Sequence, residues 1–203
     1  MYVLALTGGL GSGKTTAAAY FESQGAVVID LDAVAARLLR ADSSVRHKLV
    51  AEFGPAVSVA DGSVDPAALA REAFADPGRV STLNSIMHPA IADEVERELS
   101  RLRSSGYRGV VVLEVPLIVE APHFAEIADE VLAVQAPEAL RIARAVSRGM
   151  TPAEAHRRIR NQASDEARAE LADHVIVNDG EENRFFDALE RVWLRVSAER
   201  ECR

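Results

Sequence analysis

The sequence predicts an α/β protein built on a doubly wound sheet of five parallel strands flanked by helices. Short runs rich in β-forming residues alternate with longer helical patterns. Runs such as "VVVLEV" are apolar on both faces, as a strand in a parallel sheet covered by helices must be. The first run leads straight into a glycine-rich turn and then a helix, the order in which phosphate-binding loops are built.

The first strand covers Tyr2 to Thr7. It lacks a basic flank and is too short for a signal peptide or a membrane span, so no membrane association is expected. The segment Gly8 to Thr15, "GGLGSGKT", satisfies G-x-x-x-x-G-K-[ST] and is followed by the helical pattern "TTAAAYFESQ". Its glycines let the backbone of Gly11, Ser12, Gly13, Lys14, Thr15 and Thr16 fold tightly enough to aim N–H groups at one phosphate chain. Lys14 brings a point charge to the β- and γ-phosphates, Thr15 a hydroxyl for Mg²⁺, and the helix N-terminus its partial positive charge. Of the 23 basic residues only Lys14 and Lys48 are lysine. A compact ammonium on a flexible stem suits this loop better than the planar arginine fork chosen elsewhere.

The second strand, Val27 to Asp30, runs into a helix over 32–40 and places Asp30 and Asp32 at the carboxyl edge of the sheet, where open α/β folds bind ligands. If this strand neighbours the first, Asp32 faces the γ-phosphate and can take the proton of an acceptor hydroxyl. The other reading is that one of the two carboxylates caps the helix. About eighty residues then precede the third strand, where a parallel crossover needs about a dozen. Helical patterns at Ser43 to Phe53, Pro66 to Phe74 and Gly78 to Arg103 make this stretch, about 41–105, an inserted helical lobe. The third strand is Val110 to Val115 and the fourth Glu130 to Gln135.

Two helices in series follow, over 137–148 and 152–161, joined at Gly149 with Pro152 opening the second. They predict a lid over about 137–171. Arg141, Arg144 and Arg148 share one face of the first. Turned inward they surround a phosphoryl group; turned outward they are a solvated basic face. Arg157, Arg158 and Arg160 read as surface residues. The fifth strand, His174 to Asn178, and a helix over 181–200 close a single domain whose core is 1–40, 106–136 and 172–203.

A net charge of −8 argues against general nucleic-acid binding, which needs a broad basic surface. Cys202 is the single cysteine, so no internal disulfide forms, and a reducing cytoplasm is the expected location. Neither lysine stands in an [NT]-K-x-D element and no Asp begins D-x-x-G, which sets a GTPase switch aside. Composition does not fix the oligomeric state.

The chain resembles dephospho-coenzyme A kinases along nearly its whole length. The likeness is carried by "TGGLGSGKTT", "IDLDAVAARLL", "FGP" at 53–55, "LNSIMHPAI", "VVLEVPLIVE", Arg144 and Arg148, Gln162 and "ADHVIVNDG", in that order and spacing. The resemblance implies a P-loop fold of the nucleoside-monophosphate-kinase type. It implies transfer of the ATP γ-phosphoryl, with Mg²⁺, to the ribose 3′-hydroxyl of dephospho-coenzyme A. Carried over by position, Lys14 and its loop hold ATP, Asp32 is the base and Arg144 the lid arginine. His88 with Pro89, and Leu117 with Glu120, match motifs around the acceptor, and Asn178 lies by the adenine. Core packing for Leu117, a local hydrogen bond for His88 and a turn for Asn178 are the plainer readings. The chain departs from the family pattern at Glu114, where an Asp is expected, so the resemblance does not carry a metal role to it, and at Asp65–Pro66, where an arginine is. That acceptor contact is then either missing or supplied by Arg71 or Arg79.

Overall fold

The computed structural model describes residues 1–201, the side chains of Pro77 and Glu201 excepted; Cys202 lies outside the described residues. In chain order the elements are β1 Tyr2–Thr7, α1 Lys14–Ser23, β2 Val27–Asp30, α2 Leu31–Ala41, α3 Ser43–Phe53, α4 Pro66–Ala73 and α5 Pro77–Ser104. There follow β3 Val110–Glu114, α6 His123–Glu126, β4 Glu130–Gln135, α7 Glu138–Ser147, α8 Pro152–Arg160, α9 Asp165–Glu170, β5 His174–Val177 and α10 Glu182–Glu201. Two compact units emerge: Met1–Asp30 with the chain from Ser105 onward, and Leu31–Ser104.

The first unit holds a five-stranded parallel sheet in the order β2-β3-β1-β4-β5. β1 is central and buried at every position, because hydrophobic residues stand on both its faces. One face sends Tyr2, Leu4, Leu6, Val110, Val112, Leu132 and Val134 into a core with Phe21 of α1 and Phe185, Leu189 and Val196 of α10. Two carboxylates tie down the strand starts: Asp129 Oδ2 accepts from Val3 N at 2.7 Å, and Asp173 Oδ2 from Val131 N at 2.8 Å.

The sheet order corrects one premise. β2 does not lie beside β1; β3 runs between them, with Leu6 opposite Glu114 and Glu114 opposite Asp30. A long crossover after β2 lets the chain re-enter the sheet between β2 and the central β1, and strand spacing alone does not reveal that choice. The carboxyl edge therefore reads Asp30, Glu114, then the loop leaving β1.

The second unit packs α2 to α5 around Leu38, Val45, Leu49, Phe53, Val57, Leu69, Met87, Ile91, Val95 and Leu99. Its helix starts are written in the sequence. Asp42 caps α3 by accepting from Val45 N at 3.0 Å, and Asp65 caps α4 by accepting from Ala67 N at 2.8 Å, with Pro66 in the first turn. The Asp65–Pro66 pair is thus a helix start. α5 continues through Pro89 for 28 residues.

Candidate active site

The loop leaving β1 is shaped by two glycines with left-handed backbone. Gly11 has φ 75° and Gly13, the N-cap of α1, has φ 108°. Space forbids a side chain there as well. A Cβ on Gly11 would stand 2.5 Å from the Arg141 carbonyl oxygen, and one on Gly13 would meet the Asn178 amide. The loop is therefore packed against α7 and the end of β5 at its own backbone.

Three side chains bind the loop's carbonyls in sequence. Arg141 Nε donates to Leu10 O at 2.9 Å. Arg144 Nη1 donates to Gly11 O at 3.1 Å, and Asn178 Nδ2 to Ser12 O at 2.9 Å. Arg144 Nη2 also donates to Asn178 Oδ1 at 2.8 Å, so arginine and amide brace each other. From the loop after α8, Gln162 Oε1 accepts from Leu10 N at 2.9 Å. Ser12 is fully buried, and its hydroxyl and that of Thr7 have no hydrogen-bond partner among the described residues. Such groups cost free energy unless something meets them.

Lys14 opens α1 and pairs with Glu114, the last residue of β3. The same carboxylate oxygen accepts from Thr15 Oγ1 at 3.3 Å. Glu114 is 6% exposed and Lys14 half-buried, so the ion pair lies where water is scarce, while Thr15 beside it is exposed. The donors here, Thr15 Oγ1 and the Glu114 carboxylate, are oxygens. That chemistry fits Mg²⁺, which keeps most of its shell as water and phosphate and takes one or two protein oxygens. Thr15 and Glu114 are the residues that would hold it.

The three arginines at and around α7 divide. Arg141 is buried and Arg144 half-buried, both turned onto the loop, whereas Arg148 lies past the last turn of α7 and is exposed. A shared helix-face spacing therefore does not give the three one role. Burial, with the charge of Arg148 added, holds the Arg144 guanidinium below its ordinary pKa. A group whose charge is disfavoured in this way gains from an anion placed beside it. Arg157, Arg158 and Arg160 are exposed.

The remaining candidates are spread more widely. Thr16 is exposed in the first turn of α1. Leu117 and Glu120 lie in the turn after β3, both exposed, and Leu117 O accepts from Ala121 N at 2.9 Å. In the second unit Asp32 is exposed in the first turn of α2, and His88 is half-buried inside α5. Arg79 is engaged: Nη2 donates to Glu72 Oε2 at 3.1 Å, and the guanidinium lies 5.2 Å from the centroid of the Phe53 ring. Sequence reasoning missed Gln135, Asp165 and Arg168. Asp165 accepts from Arg141 and from Arg168, and Arg168 is 1% exposed. The available signal was Ser164 before two acidic residues, a helix-start pattern.

Comparison with known proteins places the geometry in context. The family model described as CoaE, dephospho-CoA kinase, matches residues 2–184. A dephospho-CoA kinase of Thiobacillus denitrificans is 41% identical, with 98% of this chain and 99% of the relative covered. A crystal structure from Thermus thermophilus aligns with TM-score 0.79 at 35% identity, covering 96% of this chain and 97% of that one. The dephospho-CoA kinase of Campylobacter jejuni aligns with TM-score 0.73 at 20% identity over 97% and 98% of the two chains, a likeness of fold.

Proposed function

This chain belongs to the dephospho-CoA kinase family, and we propose that its loop, lid and β3 carboxylate carry out that chemistry as follows. The enzyme transfers the γ-phosphoryl of ATP to the ribose 3′-hydroxyl of dephospho-coenzyme A, giving coenzyme A and ADP, the last step of coenzyme A synthesis. The observation that carries the site assignment is the loop itself. Its carbonyls at Leu10, Gly11 and Ser12 are each held by a side chain, which leaves its backbone preorganised before any nucleotide arrives.

Phosphoryl transfer passes through a loose transition state, so positioning and charge do most of the work. Lys14 would exchange Glu114 for the β- and γ-phosphates. Thr15, with Glu114, would hold Mg²⁺, which would supply neutralisation of phosphate charge. Arg144 stands between the loop and Asn178, where it serves nucleotide and developing phosphoryl charge alike. Asp32 accepts the proton of the acceptor hydroxyl and holds its oxygen in line. Its place two residues beyond the carboxyl end of β2, within the motif "IDLDAVAARLL", supports that role.

We assign acceptor contacts to Arg79 and His88 within the helices of 41–105 and, in the sheet unit, to Leu117 and Glu120; 137–171 is assigned as the lid. Arg79 reaches the acceptor only by giving up or sharing Glu72. No described helix is long and apolar enough to cross a membrane, and we place the enzyme in the cytoplasm, where its ATP is made.

ADP release by the purified protein with ATP and Mg²⁺ tests the assignment, comparing dephospho-coenzyme A, AMP, shikimate and no acceptor. Stimulation by dephospho-coenzyme A alone is expected; turnover only with AMP or shikimate overturns the acceptor assignment. Arg144→Ala is expected to lower kcat by about a hundredfold, while the KM for dephospho-coenzyme A moves severalfold at most. A rise in acceptor KM alone would make Arg144 a binding residue and shift the lid role to Arg141 or Arg148.

A further inference from the structure

Arg141 does two things with one guanidinium. Its Nε holds the Leu10 carbonyl at 2.9 Å, and its Nη1 donates to Asp165 Oδ2 at 3.2 Å. The other oxygen of Asp165 accepts from Arg168 Nη1 at 3.1 Å. Arg168 is 1% exposed and Arg141 6%, so Asp165 is the carboxylate set between two buried cations. Burial depresses the Arg168 pKa; Asp165 opposes that shift, Arg141 reinforces it and the Glu120 carboxylate opposes it more weakly. Asp165 is itself fixed, because its backbone oxygen accepts from Gln135 Nε2 at 2.9 Å at the end of β4. Removing its charge would leave two guanidinium groups to repel each other in a poorly solvated place.

The loop depends on where Arg141 sits. The space a Cβ on Gly9 would need is filled by the Arg141 guanidinium, and Gly11 packs on the Arg141 carbonyl. We propose that Asp165 is a positioning residue for the nucleotide site. Clamped between Arg168 and Arg141, it fixes the Arg141 guanidinium against Leu10 and so sets the shape of the loop crest that receives the ATP phosphates. This rests on reading the loop as the ATP site.

The test is ATP affinity, measured by titration calorimetry without acceptor, for Asp165→Asn, Arg141→Ala and the double variant, alongside steady-state kinetics. Asp165→Asn is expected to weaken ATP binding about tenfold. KM for ATP should rise more than kcat falls, with KM for dephospho-coenzyme A unchanged. Because Asp165 acts through Arg141, the double variant should bind ATP no more weakly than Arg141→Ala alone. Unaltered ATP affinity in Asp165→Asn, even with a lowered Tm, would reduce the carboxylate to a brace for α9 and overturn the proposal; so would losses that multiply in the double variant. If Asp165→Asn fails to fold, Arg141→Lys keeps a cation beside Asp165 but cannot span to Leu10 with the same fork. It is expected to bind ATP severalfold more weakly, and wild-type affinity would overturn the proposal. Wild-type protein that binds ATP but phosphorylates another acceptor leaves the proposal standing and removes only the substrate assignment. Wild-type protein that binds no ATP removes both.

Discussion

Replacing Lys14 by alanine abolishes measurable phosphoryl transfer, with kcat falling by about a thousandfold or more. The loss has two sources. The point charge that meets the β- and γ-phosphates is gone, and Glu114 is left nearly buried without its cation. Lys14→Arg separates them. It keeps a positive partner for Glu114, so Tm should return toward the wild-type value. The planar fork does not reproduce a compact ammonium at the phosphates, so turnover should recover only in part. Steady-state kinetics with thermal melts of the three proteins check this. Wild-type turnover in Lys14→Ala would remove Lys14 from the mechanism.

Asp32→Asn lowers kcat by about 10² to 10⁴-fold while ATP affinity stays within about twofold of wild type. The range is wide because a loose transition state asks the carboxylate more for position than for basicity. Asparagine preserves size and some hydrogen bonding, so the loss reports the missing charge. The competing role for Asp32 is electrostatic support of α2, in whose first turn it lies. A negative charge there is worth about 0.3–1 kcal/mol. If Asp32→Asn lowers Tm slightly and leaves kcat intact, that helix role is the whole of it. Pre-steady-state measurement of the phosphoryl step, separate from product release, gives the clearest answer.

Much of the fold could be read from the chain because its signals are local. β1, β2 and β4 end where the sequence predicts, and β3 and β5 stop one residue short. The apolar runs, the glycine-rich loop and the capping residues Asp42 and Asp65 each act over a few residues. Sheet order was not local in this way. Nothing in the residues between β2 and β3 states that the chain returns between β2 and β1, yet that return is what puts Glu114 beside the loop.

The candidate site divides along the same line. Gly11, Gly13, Lys14 and Thr15 announce themselves by spacing. Asp165 and Arg168 do not, because "DEARAE" has the composition of a solvated helix and α9 is only six residues long. An arginine becomes buried there through partners far away in sequence, and periodicity carries no record of them. Arg148 fails for the opposite reason. Its spacing matches Arg141 and Arg144, but the helix ends before it and leaves it in solvent. The glycines were read as freedom for the backbone; packing adds that they are also clearance for Arg141 and Asn178.

The most direct test of the central claim is where the phosphate goes. The product formed from ATP and dephospho-coenzyme A should be examined by tandem mass spectrometry and ³¹P NMR. One added phosphate, present as a ribose 3′-phosphomonoester and formed in equal amount with ADP, is the predicted result. ADP formed without a phosphorylated acceptor, or phosphate found elsewhere on the molecule, would contradict it.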